Sequence, residues 1–411
     1  MRRGISVGTV TLGLIFAMGG SAAIAAPGQS ERAVCPGPAS PGSARCFAHV
    51  VTDSHGTPVA SSLPPGYGPN QFHGAYSLPT STSASAGQTI AIVDAYDDPS
   101  VRNDLTTYDN TYGLNAFPTC SSTVTSSCFL KVNQNGATSP LPSKNAGWAL
   151  EIALDVETAH QICQNCKVVL VEANSSSGAN LDAAEETAVK LGATEISNSW
   201  GTEGEYSGET LETESKPFNH PKIAITVASG DKGYEHFGFP AASPNVIDAG
   251  GTTLTLGAGN TYGVEKTWSG SGSGCSLYFS AQEWQTLASG WSLTKCVSKR
   301  GVADVAADAD PNTGASVYDT TRYNGRSGWF QVGGTSLASP LIAGVYALAG
   351  NAASVSYPAS LPYVSAASLT PALHDIIEGP STGSCVTTAC KAGRGYDGPT
   401  GVGTPNGTGG F

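Results

Sequence analysis

The sequence predicts an α/β protein in three layers, with a central, mostly parallel sheet flanked by helices. Three observations predict it. Apolar, β-branched runs recur at Thr89–Ala95, Lys167–Ala173, Thr194–Trp200, Lys222–Ser229 and Val246–Gly250. Helical patterns lie between them, at Gly147–Ile162 and Leu181–Leu191. The runs are also separated by a few dozen residues, the spacing of βαβ units.

Taken in order, the first 25 residues read as a signal peptide. Arg2 and Arg3 form a basic start, residues 8–18 an apolar core too short to span a bilayer, and Ala23-Ile24-Ala25 a cleavage site after Ala25. The chain is then exported. Residues 26–70 are rich in Pro, Gly and Ser and are expected to form a short, weakly structured N-terminal segment, a vestigial propeptide. Residues 71–411 form the remaining domain, with irregular loops or antiparallel excursions expected over 255–330. No later segment is long and apolar enough to cross a membrane.

Composition narrows the partners. The 411-residue chain carries a formal charge of -12 with only 13% charged residues, and no basic run lies beyond the signal peptide. That balance argues against nucleic acid and anionic membrane. Ten cysteines fall as five local couples: Cys35/Cys46, Cys120/Cys128, Cys163/Cys166, Cys275/Cys296 and Cys385/Cys390. In an exported chain an even count reads as disulfides. Cys163-Gln-Asn-Cys166 also has the form of a redox or zinc motif, but no second CxxC or His pair accompanies it.

Two stretches resemble the subtilisins: "DSHGTPVASS" (53–62), like their histidine segment, and "GGTSLASP" (333–340), like their serine segment. Position spoils the first match. His55 precedes every predicted strand, and Pro58 with the Ser61–Pro65 stretch prevents a long helix after it. His55 is expected to be a solvated residue. The other histidines, His49, His73, His160, His220, His236 and His374, read as surface or loop residues. A serine without a histidine needs a carboxylate or a lysine as its base.

"GWALEIALDVETAH" (147–160) supplies a carboxylate pair. Only Glu151 and Asp155 interrupt the apolar run from Trp148 to Val156, and i, i+4 spacing puts them on one helical face. The face either reaches solvent or buries a proton-sharing dyad, whose members acquire separated pKa values. Ser336 is approached over Gly333-Gly334-Thr335 and opens an apolar helical stretch (336–350), with Pro340 expected in its first turn. A serine there either caps the helix or is a nucleophile exposed to unpaired N–H groups. Asp231, in "ITVASGDKG" (225–233), either starts a turn or points from the end of a strand into the site.

Taken together these residues resemble the sedolisins, serine-carboxyl peptidases with a subtilisin-like fold. The motifs ExxxD, SGD and GTSxxxP occur in that family's order, and the resemblance runs from about residue 66 to the C-terminus. It implies that Ser336 is the nucleophile, Glu151 the general base, Asp155 its orienting partner and Asp231 the oxyanion-hole group. It also implies one structural Ca2+ on Asp375 and Asp397 with the carbonyls of Ile376, Gly393 and Gly395, in "HDIIEG" (374–379) and "AGRGYDGPTG" (392–401). Alternating glycines there let carbonyls turn toward a hard cation. The expected protein is a secreted, acid-active monomeric endopeptidase acting on proteins or peptides. The alternatives are an inactive subtilisin-fold binding protein and an ordinary subtilisin using Asp94 with a histidine. Two features depart from the family: the short segment before the catalytic domain, and the extra cysteines.

Overall fold

The computed structural model describes Met1 and residues 30–123, 125–205, 215–370 and 372–411. Beyond Met1, the signal-peptide segment lies outside them. Three short strands come first: β1 (Ser30–Ala33), β2 (Arg45–Cys46) and β3 (His49–Thr52). The central sheet is built from β4 (Thr89–Ala95), β5 (Phe129–Asn133), β6 (Lys167–Ala173), β7 (Glu195–Asn198), β9 (Ala224–Ala228), β10 (Ile247–Leu256) and β11 (Tyr262–Thr267). Its order is β11-β10-β9-β7-β4-β6-β5, and only the β10–β11 pair on this path is antiparallel. Between β7 and β9 lies the two-residue β8 (Trp200–Gly201).

β4 and β6 match the predicted runs residue for residue and are almost wholly buried. This is what strands covered on both faces require. Besides the short α1 (Pro69–Ala75), the longer helices are α2 (Val101–Tyr112), α3 (Ala146–Ile162), α4 (Gly178–Lys190) and α5 (Thr335–Ala349). α3 and α5 pack on each other and on the sheet, and α4 packs on β4 and β6. α2 and β5 carried no clear periodic signal in the sequence and were not foreseen.

Over 255–330 the chain is mostly antiparallel. β12 (Gly274–Ser280) pairs β13 (Lys299–Val302), while β14 (Val305–Asp308) runs parallel to β10. β15 (Ala315–Tyr323) and β16 (Arg326–Gly333) form a hairpin that leads directly into α5.

The N-terminal segment differs from expectation. From Ser30 onward it is folded into the protein: β1 and β3 join β16 and β15 in an antiparallel sheet of order β1-β3-β16-β15, and β2 pairs β8. Val34, Cys46, Phe47, Ala48 and Val50 are buried. Its Pro and Gly content describes the turns, whereas the CFAHVV stretch runs from the end of β2 into β3.

The five cysteine couples are five disulfides, with sequence separations of 11, 8, 3, 21 and 5. Cross-links that close longer loops remove more entropy from the unfolded chain. Replacing Cys275 and Cys296 by Ala is therefore expected to cost about 3 kcal/mol, and replacing Cys163 and Cys166 about 2 kcal/mol. Denaturant melts of the two double variants check this. A larger loss from the 163/166 pair would mean that packing, not loop closure, sets the contribution.

Candidate active site

α3 begins where Asn145 caps it, its side-chain oxygen accepting from Gly147 N at 3.0 Å and Trp148 N at 3.2 Å. Every residue from Trp148 to Ile162 is buried, so the face carrying Glu151 and Asp155 does not reach solvent. Asp94, in the last turnward residues of β4, lies beside them. All three acids are fully buried, and neither oxygen of Asp94 or Asp155 meets a hydrogen-bond donor at good geometry.

Burial pushes all three carboxyls far above the usual range, and mutual repulsion adds to it: Asp155 on Glu151, Asp94 on Asp155, and Glu151 with Glu172 on Asp94. Ala48 N–H donates to Glu151 Oε2 at 2.9 Å and favours the carboxylate, and the nearby Ser336 hydroxyl, which here donates to the Ser199 carbonyl, also opposes the rise. The Ser199 hydroxyl, close by, opposes the rise for Asp155. Groups so close titrate as a set.

Ser336 stands in the first turn of α5 and is fully buried. Gly334 precedes the helix at φ 93, a conformation that favours glycine. Pro340 lies in the second turn, not the first as expected. With no N–H it leaves the Ser336 carbonyl without its helical donor, and Ser199 Oγ supplies one at 3.2 Å. The Ser336 hydroxyl in turn donates to the Ser199 carbonyl at 3.1 Å.

Asp231 follows β9 through Gly230, whose φ is 105. Its Oδ1 accepts from Thr335 N and Oγ1, both at 2.8 Å, while Oδ2 is buried without a hydrogen bond and lies 3.4 Å from His49 Nε2. Burial raises its pKa; His49 and the Thr335 donors oppose the rise. The charged neighbours acting on it, His49 and Arg45, are both cationic or able to become so, and no carboxylate is among the causes of the rise.

The structure therefore brings Ser336, Glu151, Asp155 and Asp231 together, from α5, α3 and the end of β9. It leaves His55 exposed on a turn. His73 and His160 are buried rather than superficial. His73 bonds the carbonyls of Leu78 and Gln161, and His160 stacks on Phe117. Sequence reasoning missed Asp94, Ser199, Ala48 and His49 as neighbours of the site. Asp94 had been weighed only as a histidine's partner, and the other three look like ordinary strand and turn residues.

In the C-terminal loops Asp397 is fully buried and Asp375 is close enough to disfavour its charge. Gly393 N donates to Asp397 Oδ2 at 2.9 Å and Gly395 N to Asp375 at 3.1 Å. Gly395, at φ 74, turns the backbone there. Two converging carboxylates on a glycine-turned loop suit a hard divalent cation. A second acidic group, Asp98, Asp104 and Asp319, also has the spacing to hold an ion. No helix among the described residues is long and apolar enough to cross a membrane.

Comparison with known proteins bears on the family and the fold. The model of the subtilase family matches residues 143–364. Sedolisin from Pseudomonas sp. (strain 101) is 28% identical over 84% of this chain and 61% of its own length. Kumamolisin from Bacillus sp. (strain MN-32) is 30% identical over 84% of this chain and 63% of its own. The chain thus spans about three fifths of the length of these relatives. Among solved structures, Pseudomonas sedolisin, a serine-carboxyl proteinase complexed with pseudo-iodotyrostatin, superposes with a TM-score of 0.66 at 25% identity. It covers 85% of this chain and 96% of that one. With the family model covering more than half of the chain, the protein belongs to the subtilase family and, within it, to the sedolisins.

Proposed function

We propose that the protein is a secreted, acid-active endopeptidase that hydrolyses peptide bonds through Ser336, Glu151, Asp155 and Asp231. The observation that carries this is a dry carboxylate pair touching a serine at a helix N-terminus, with no histidine in position to serve that serine. Ser336 attacks the peptide carbonyl while Glu151 takes its proton and later delivers it to the leaving amine. Asp155 shares charge and proton with Glu151 and fixes its state. Asp231 Oδ2, the oxygen left without a partner, donates to the developing oxyanion when protonated. A catalytically inert binding protein is not favoured, because no residue the chemistry needs is absent. The disulfides suit an oxidising, extracellular setting.

Ca2+ on Asp375 and Asp397, with the carbonyls of Ile376, Gly393 and Gly395, would clamp the C-terminal loops. Its role is structural: a divalent charge offsets two carboxylates that otherwise disfavour each other.

Ser336→Ala is expected to remove essentially all peptide hydrolysis, on the order of 10^5-fold or more, and Glu151→Gln to lower kcat about 10^3-fold. Both should retain the wild-type circular dichroism. Wild-type turnover in Glu151→Gln together with loss in His55→Ala would sink the assignment.

The pH profile has a definite sign. Glu151 works only ionised, so activity falls as pH drops through its range. Asp231 works only protonated, so activity falls as pH rises through its own. Carboxyls bound both limbs, so the activity bell is expected in acid, and burial, which raises both groups, sets it above the range of free carboxyls. Asp231→Asn donates at any pH and should move the alkaline limb upward. A wild-type optimum at alkaline pH would contradict the mechanism.

Removing calcium should lower the melting temperature by about 5 °C if the free ion stands near a hundred times its Kd. Asp397→Asn should abolish that difference. An unchanged melt in excess chelator, with no metal by elemental analysis, would count against the site.

A further inference from the structure

We propose that Asp98, Asp104 and Asp319 form a second cation site, separate from the C-terminal loops, that holds one Ca2+ in the interior and staples α2 to β15. None of the groups around Ser336 takes part in it.

The fold brings the three acids together from three elements. Asp98 follows β4, Asp104 stands in the first turn of α2, and Asp319 lies within β15. One oxygen from each lies within 4.8 Å of the other two. Oxygens facing each other across a Ca2+ ion stand about 5 Å apart, so a single ion can reach all three. An aspartate in the first turn also favours a helix start. That accounts for Asp104 but gives no reason for Asp319, which comes from a strand.

Two oxygens of the group lack any partner. Asp98 and Asp319 are wholly buried, and Asp104 nearly so. Asp98 Oδ1 accepts from Ser100 N and Oγ, both at 2.9 Å, and from Thr321 Oγ1 at 2.8 Å. Asp319 Oδ1 accepts from Thr321 N at 2.6 Å. Oδ2 of Asp98 and Oδ2 of Asp319 are buried with no hydrogen bond. Each of these carboxyls is clamped at one oxygen and bare at the other. A metal-ligating carboxylate has this pattern, its outer oxygen fixed by hydrogen bonds while the inner one binds the ion. The third acid, Asp104, is oriented by Thr320, whose N and Oγ1 donate to it at 2.9 and 2.8 Å.

No side-chain cation answers the group. Among the described residues, none of the three carboxyls forms an ion pair. Lys131 reaches only the backbone carbonyl of Asp98. The charged groups acting on Asp319 are Asp98 and Asp104, both acidic. Buried charge without a counter-charge is costly, and a divalent ion would offset it. An all-oxygen donor set selects a hard cation over zinc or copper. A cavity of about 410 Å³ lies alongside, lined by Ser100, Asn103, Thr320 and Thr321 and also by Lys144 and Arg322. Water from it can complete the coordination.

α2 and α3 both pack on β15, whose hairpin with β16 leads into α5. An ion here would fix that strand against α2 without touching the reacting groups.

Burial distinguishes this ion from the one on the C-terminal loops, where Asp375 is exposed. Chelation of the folded protein should empty the loops and leave the interior ion in place. The test counts Ca2+ by elemental analysis in the full chain, purified with Ca2+ and then dialysed against excess chelator. Wild type and Asp397→Asn should each retain one equivalent, whereas Asp319→Asn and Asp98→Asn retain none. Asp397→Asn, unfolded in chelator and refolded free of metal, should melt at a higher temperature once Ca2+ is restored. The double variant Asp397→Asn, Asp98→Asn should show no such shift. No retained ion in Asp397→Asn, with a metal-free melt that Ca2+ does not move, overturns the inference, and the three carboxyls then hold protons alone. An equivalent retained by Asp319→Asn and Asp98→Asn as well places the ion elsewhere and overturns it too.

Discussion

Three carboxylates, Asp94, Glu151 and Asp155, share one dry interior, and no lysine or arginine is among the groups acting on them. Ionised together they would cost many kcal/mol, so the cluster holds protons that ordinary surface acids have lost by neutral pH. This constraint shapes the elements around it. α3 must be buried all round to keep water out, and β4 must end there to place Asp94. The Ser199 backbone and hydroxyl then link the acid cluster to α5.

The second dependence is on Pro340. A helix carrying a proline in its second turn loses one internal hydrogen bond, and the freed carbonyl is that of Ser336. Ser199 answers it, so the serine is held from outside its own helix by the strand segment that also receives the Phe47 amide. Ser336, the Phe47 segment and the start of α5 are thereby tied to one residue.

The N-terminal segment shows how topology changes the meaning of composition. Residues 30–52 are rich in turn formers, yet their strands complete a four-stranded sheet, and Ala48 beside them bonds Glu151. Their edges are satisfied by β8 and β16, strands that lie some 150 to 300 residues later in the chain. Nothing local foretells such pairing. It also makes His49, read as a loop residue, the closest ionisable neighbour of Asp231.

What the sequence determined by itself was whatever depends on local pattern. Buried parallel strands need continuous apolar runs, so β4 and β6 were legible to the residue. An almost wholly apolar helix singled out Glu151 and Asp155 as a pair on one face, but that the face is buried was decided only by the packing of α3. Cysteines close in sequence meet because short loops close readily, and the five couples followed. Tertiary structure decided what depends on pairing across distance: which carboxylate stands behind the dyad, which carbonyl receives the Ser336 hydroxyl, and which backbone amide bonds Glu151. Those contacts join residues that share no periodicity, and only the folded backbone brings their edges and side chains within hydrogen-bond reach.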